Sequence, residues 1–358
     1  YQRRVRGTQM TQQNGDCEVE NRHGKLRVCY GTINVPLGMR VQESIAEFEH
    51  GARNATLKIK KFADGELCAD YDDTIRGCDL FIVNPISTPD VNAALMEILL
   101  AVDAARRASA ARITAVIPYY GYARQDRKAK ARQPISARVI ADMLTAGGVD
   151  HVISLDIHTQ QIQGFFGSRV PLDFLPGDLV FLEELAKLYK EHPFIVASTD
   201  AGGAARCRDL AAKFGTDLVI LDKRRPKDNQ SEVMNVIGDC VGKNVLIYDD
   251  LCDTAGSICK AAEVLKKQGA LKIFGCVTHP VLSDPAAERI QQSVFDKLYF
   301  SDSILIPAHK MEMIKDKVHI VSAAPLLSAC IECIHNETSI VDHFNRVKGI
   351  VCKTLDPK

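Results

Sequence analysis

From residue 26 onward, short runs rich in Val, Ile and Leu alternate with longer stretches whose apolar residues recur every three or four positions. Residues 26–31 read as a strand, 39–51 as a helix, and 55–62 and 79–85 as strands. Between 90 and 108, Val91, Leu95, Ile98, Leu99 and Val102 fall on one stripe, the period of a core-facing helix. A buried strand is predicted at 112–120, a helix at 135–148 that stops on Gly147 and Gly148, and a further strand at 151–157. Two prolines and a glycine interrupt the pattern at 171–178. It then resumes with helices at 177–192, 203–215 and 257–269 and strands at 194–200, 217–223, 244–250 and 271–279. Such alternation specifies α/β units, each a mainly parallel sheet flanked by helices. A length of 358 residues suits two of them.

Composition narrows the classes. Lys+Arg and Asp+Glu are 45 each, so no global field draws the chain to nucleic acid or anionic lipid. No apolar run reaches the 18 or so residues of a membrane span, and neither nucleic acid nor membrane is expected as a partner. Twelve cysteines scattered through apolar stretches fall short of a disulfide framework and point to a reducing compartment. A cytoplasmic location is expected, with an organelle left open. Residues 1–25 are polar and read as an N-terminal extension outside the fold.

The chemistry concentrates at predicted strand ends. Residues 245–257, VLIYDDLCDTAGS, carry a buried strand into a small-residue turn that opens a helix. The carboxyl ends of strands are where open α/β sheets bind ligands, and N–H groups from Thr254 through Ala255 and Gly256 to Ser257 suit a phosphate. Asp249 and Asp250 fit the vicinal hydroxyls of a ribose. The plainer reading is an acidic loop with Asp253 as N-cap. Asp200-Ala201-Gly202-Gly203, followed by Arg206, is a second strand end with a Gly-Gly turn into a helix; alone it is equally a simple helix start. Residues 122–132 hold a basic cluster around Arg124 and Gln125, which alone is as easily a solvated loop. Lys223 to Lys227 places four cations in five residues at a strand end, either a hairpin tip or a lid for a polyphosphate.

Together with Asp156-Ile157-His158-Thr159-Gln160-Gln161 and Phe62-Ala63-Asp64-Gly65-Glu66, these motifs resemble ribose-phosphate pyrophosphokinases over residues 26 to 350. The resemblance implies two similar domains of the type I phosphoribosyltransferase fold: 26–174, completed by 334–358, and 175–333. It implies transfer of the β,γ-diphosphate of ATP to the anomeric hydroxyl of ribose 5-phosphate, giving 5-phosphoribosyl 1-diphosphate and AMP. Lys223 and Arg225 fall on the catalytic loop, and Phe62, Asp64, Glu66, Arg124 and Gln125 on the ATP site. Arg225, Asp249, Asp250, Asp253 and residues 254–257 fall on the ribose 5-phosphate site, and Asp200 to Gly203 with Arg206 on the diphosphate loop. The implied cofactor is Mg2+, held by His158 and Asp200. A homo-oligomer, a hexamer built from dimers in which Phe62 serves a neighbouring subunit, is also implied. Phosphate and ADP are implied effectors, at Thr74-Ile75-Arg76 and Ser339, with Val341 where some members have serine. Asp64 stands where Asn is common, Ala205 where many members have Lys, and Ala129 where some have Asp, which leaves nucleotide affinity open. The main alternative is a non-catalytic regulatory subunit of the same fold; a phosphoribosyltransferase that consumes the diphosphate lacks the ATP motifs. Cys330 and Cys333 are expected to be core residues of a helix.

Overall fold

The computed structural model describes residues 22–48, 53–224 and 233–355. The first unit runs β1 (Leu26–Tyr30), α1 (Val35–Phe48), β2 (Arg53–Asn54), β3 (Leu57–Lys61), β4 (Leu67–Tyr71), β5 (Asp79–Val83), α2 (Val91–Arg107), β6 (Arg112–Ile117), α3 (Ser136–Gly147), β7 (His151–Leu155) and β8 (Leu172–Leu175). Six strands form a parallel sheet in the order β2-β1-β5-β6-β7-β8, and β3 pairs with β4 as a separate antiparallel hairpin. The second unit runs α4 (Asp178–Glu191), β9 (Phe194–Ser198), α5 (Ala204–Phe214), β10 (Leu218–Arg224), β11 (Val233–Ile237), β12 (Asn244–Cys252), α6 (Gly256–Lys267), β13 (Ile273–Pro280), α7 (Ala286–Gln292), β14 (Lys297–Ser301), α8 (Ala308–Ile314) and β15 (Val318–Val321), followed by α9 (Ala324–His335) and α10 (Ile340–Leu355). Its sheet has the order β11-β10-β9-β12-β13-β14-β15 and is parallel except for β11.

Local sequence accounts for these elements. β5 and β13 are buried along their whole length, as parallel strands covered on both faces must be. The carboxylate of Asp90 caps α2 by accepting from the N–H groups of Asn92 and Ala93 at 3.1 and 3.0 Å. Arg106 and Arg107 meet the negative end of the same helix. Gly148 and Gly215 end α3 and α5 in the left-handed conformation that glycine adopts without strain.

The two sheets share one core. Phe81, Val116 and Ile153 of the first pack in a single apolar cluster with Val196, Leu246 and Phe274 of the second, through α1, α4, α5 and α9. Each sheet covers its other face with a cluster of its own. The interrupted segment 171–178 holds β8, an edge strand that directly follows Pro171, so the break in pattern falls between β8 and α4. The return toward the first unit was expected from residue 334. α9 already lies against α1 from residue 324, and α10 lies along α4 of the second unit. At the inner end of α9, His335 and Arg112 both pair with the fully buried Asp79, at 2.8 Å for the imidazole. Cys330 and Cys333 are buried in that helix, as expected. Among the described residues no helix is long and apolar enough to cross a membrane. Most of residues 1–25 lies outside the described residues, which begin at 22.

Candidate active site

The carboxyl ends of β7, β9 and β12 open onto one cleft of about 770 Å³ between the two sheets. It brings together Arg124, Gln125 and His158 from the first unit with Asp200, Gly202, Gly203, Arg206, Asp249, Asp250 and the loop Asp253–Ser257 from the second. The halves touch directly, because Arg124 Nη1 donates to Asp253 Oδ2 at 2.7 Å. Burial would raise Asp253, and Ser283 and Arg124 outweigh it, so its carboxyl titrates below the usual range.

The loop has the local geometry of an anion cradle. Ala255 adopts φ 57° and α6 begins at Gly256, so successive N–H groups of the turn lead into the positive end of the helix. Arg289 of α7 braces it from behind by donating to the Thr254 carbonyl at 2.9 Å. The second turn is fixed by Asp200, whose Oδ1 accepts from the Gly203 N–H at 3.0 Å, and Ser198 Oγ donates to the Asp200 carbonyl at 2.7 Å. A Cβ on Gly203 would press on that hydroxyl, which is why this turn needs glycine.

Two expected ligands line the cleft and are also tied to protein partners. Asp250 was expected to face ribose, but it is buried and both of its oxygens are engaged, Oδ2 by His158 Nδ1 at 2.7 Å and Oδ1 by Arg206 Nη1 at 2.6 Å. Burial opposes its ionisation, and His158 and Arg206 overcome that and hold the carboxyl well below the usual range. Arg206, expected on the diphosphate, spends its guanidinium on Asp250 and, at 3.5 Å, on Asp156. The hydrogen bond to Asp250 raises His158, and because an ionised carboxylate only accepts, Nδ1 carries a proton and in the neutral ring Nε2 keeps its lone pair. Burial, and then the charge of Asp250, push Asp249 up to about 7, while Thr199 Oγ1 donates to it at 2.8 Å.

This donor set fits a magnesium ion. Among the described residues no group of three or more His, Cys, Asp or Glu side chains could hold a metal alone. His158 and Asp200 both line the cleft, and Mg2+ takes few protein ligands where phosphates and waters supply the rest. His158 has the carboxylate behind its other ring nitrogen that metal-binding imidazoles usually have.

The remaining expected residues lie elsewhere. Phe62, Asp64 and Glu66 form the turn of the β3–β4 hairpin and do not line the cleft. Phe62 is 45% exposed, with the Lys60 ammonium 5.3 Å from its ring centre. The backbone of Lys223 is in β10, and Arg225 lies outside the described residues.

His279, which the sequence did not single out, is fully buried at the end of β13 and ties the units together. Nε2 donates to the carbonyls of Leu155 and Asp156 at 3.1 and 3.3 Å, and Nδ1 faces Ser303 Oγ at 2.9 Å. Burial lowers its pKa to about 4, against 6.5 when unfolded. A depressed folded value means its contribution is complete above pH 6.5 and is lost as pH falls toward 4, by roughly 3 kcal/mol at about 1.4 kcal/mol per pH unit. Urea unfolding of His279→Gln should therefore show a flatter loss of stability from pH 6.5 to 4.5 than the wild type; parallel curves would refute this.

The comparisons agree with this arrangement. A family model described as the N-terminal domain of ribose phosphate pyrophosphokinase matches residues 26–148, and one described as the phosphoribosyl synthetase-associated domain matches residues 215–345. The ribose-phosphate pyrophosphokinase of Thermosipho africanus is 45% identical over 317 residues, 88% of this chain and 96% of the relative. That of Chlorobaculum tepidum is 46% identical over 315 residues, 88% and 94% of the two chains. The crystal structure of phosphoribosylpyrophosphate synthetase from Mycobacterium smegmatis superposes with a TM-score of 0.80 at 33% identity, covering 87% of this chain and 99% of that one. Identity of this depth over nearly the whole length of the relatives, on two sheets that share one cleft, makes this chain a member of the ribose-phosphate pyrophosphokinase family.

Proposed function

We infer that the protein transfers the β,γ-diphosphate of ATP to the anomeric hydroxyl of ribose 5-phosphate, releasing AMP. The observation that carries this reading is the single cleft in which Arg124 of the first unit meets Asp253 of the phosphate-binding turn. In line attack on a phosphorus needs positioning and charge neutralisation more than covalent help from the protein. Asp249 and the Asp253–Ser257 turn hold ribose 5-phosphate, the turn taking its phosphate on backbone N–H groups. Arg124 and Gln125 hold the ATP phosphates, and Asp200 to Gly203 receive the transferred diphosphate. His158 and Asp200 would hold Mg2+, which would supply charge neutralisation. Lys223 and Arg225 meet the charge that develops on the bridging oxygen as AMP leaves.

Phosphorus NMR with ATP, Mg2+ and ribose 5-phosphate, run with and without inorganic phosphate, tests the reaction. AMP together with a diphosphate bonded to the anomeric carbon is expected. ADP would indicate ordinary kinase chemistry, and ribose 5-phosphate binding without turnover would favour the regulatory-subunit reading. A second test addresses Arg124. Lysine keeps its charge but cannot form the planar fork on phosphate, so Arg124→Lys should raise the KM for ATP by about tenfold. Unchanged ATP kinetics would remove Arg124 from the nucleotide site.

The same reading extends to assembly and location. Phe62 on its hairpin serves the adenine of a neighbouring subunit in a homo-oligomer, which accounts for an exposed ring remote from the cleft of its own chain. Phosphate and ADP act as effectors near Arg76 and Ser339, where Ser339 Oγ accepts from the Asp342 N–H at the start of α10. The domain division falls at 174/175, and the enzyme works in the cytoplasm.

A further inference from the structure

Asp156 stands just beyond β7, 2% exposed, with φ 43°. A side-chain-bearing residue in that left-handed region is strained, and strain at a buried strand end persists only where surrounding contacts impose it. Here they come from the other unit. Thr278 Oγ1 and Tyr248 Oη donate to Asp156 Oδ2 at 2.5 and 3.4 Å, and Arg206 Nε faces Oδ1 at 3.5 Å. A Cβ on Gly177 would collide with both Asp156 Oδ2 and Thr278 Oγ1, so the backbone just before α4 leaves room for this pair and little else. All three partners are donors, which suits an ionised carboxylate and not an amide. Arg206 continues to Asp250 at 2.6 Å, and Asp250 to His158 at 2.7 Å. His158 returns to Asp156 through a single intervening residue, closing a ring that crosses twice between the units.

We propose that Asp156 is a positioning residue of the reaction: by anchoring Arg206 it sets the Asp250 carboxylate, and through it the orientation and tautomer of the His158 ring. Asp156 touches neither substrate in this arrangement and acts only through the ring. The inference rests on the reading of the cleft given above.

The test compares Asp156→Asn with Thr278→Val, which removes one donor from the carboxylate while keeping shape, and with Asp79→Asn. Asp79 is an equally buried carboxylate at the opposite end of the same sheet, paired with Arg112 and His335, and reports the cost of disturbing a buried ion pair alone. Misplacing a group by a fraction of an ångström in such a site costs roughly 10- to 100-fold. Asp156→Asn should lose that much kcat/KM for ribose 5-phosphate, and Thr278→Val a smaller part of it. In 15N-histidine spectra of the metal-free, substrate-free enzyme, the His158 ring nitrogens should move toward a mixture of tautomers in both variants. Asp79→Asn should lower Tm while leaving both readouts as in the wild type. The proposal is overturned if both variants keep the wild-type kcat/KM, or if activity falls with unchanged His158 shifts, the pattern of a purely structural carboxylate. Should Asp156→Asn fail to fold, Thr278→Val decides alone by the same two readouts. The ring shifts are read without turnover, so they stand whether or not phosphorus NMR bears out the reaction.

Discussion

A Lys223→Ala enzyme is expected to lose about 10³-fold in kcat while its KM values for ATP and ribose 5-phosphate stay within about threefold, because a cation that meets charge only as the bond breaks acts on the transition state. β10 and β11 are antiparallel, and their register pairs Lys223 with Met234 and Arg224 with Val233. The backbone of Lys223 is thus one pair short of the end of the β10–β11 ladder. Lys223→Arg keeps the charge but changes its shape and reach, so it should recover only part of the loss. Steady-state kinetics with both substrates varied separates the cases. Near-normal kcat in the alanine enzyme would take Lys223 out of the chemistry, and a raised KM with normal kcat would make it a ground-state contact.

The legibility of this site followed sequence continuity. The Asp253–Ser257 turn and the Asp200–Gly203 turn were readable because strand, turn and helix follow within a dozen residues and the physics of each is local. Asp249 and Asp250 look alike in sequence, yet both lie in β12, where adjacent side chains point to opposite faces. One therefore faces Thr199, and the other turns to His158 and Arg206, a difference that only the packing of the two units decides. Thr278, His279 and Arg289 went unnoticed for the same reason, since the partners that place them at the site, Asp156, Leu155 and Thr254, lie 35 to 124 residues away. β8 was hidden by the proline and glycine around it. The alternation of the central elements survived because buried parallel strands must be continuously apolar.

Asp250→Asn should show two losses together: about 3 kcal/mol of stability at pH 7.5, and about 10²-fold in kcat/KM for ribose 5-phosphate. The carboxylate accepts from two cationic partners on separate oxygens. Asparagine offers one acceptor and must point its amide N–H groups at the other donor, either His158 or Arg206. Arg206 keeps Asp156 at 3.5 Å and Asp249 at 3.8 Å, so the guanidinium stays partly compensated and the amide turns its donors on His158. The imidazole then loses the acceptor that fixed its proton on Nδ1, and with it the arrangement suited to a metal on Nε2. The stability loss has a required pH dependence. Asp250 is depressed in the folded state from an ordinary value of 3.8, so its contribution is complete above that pH and is lost as pH falls through the folded value. The gap in unfolding free energy between wild type and Asp250→Asn should be widest near pH 5 to 6, narrow below about 4 as Asp250 is protonated, and narrow again above pH 6.5 as the raised His158 loses its proton. A gap that stayed flat from pH 6.5 to 8 would mean that Asp250 does not hold a proton on His158. An asparagine enzyme as stable and as active as the wild type would show that the contacts of Asp250 with His158 and Arg206 have no bearing on the site.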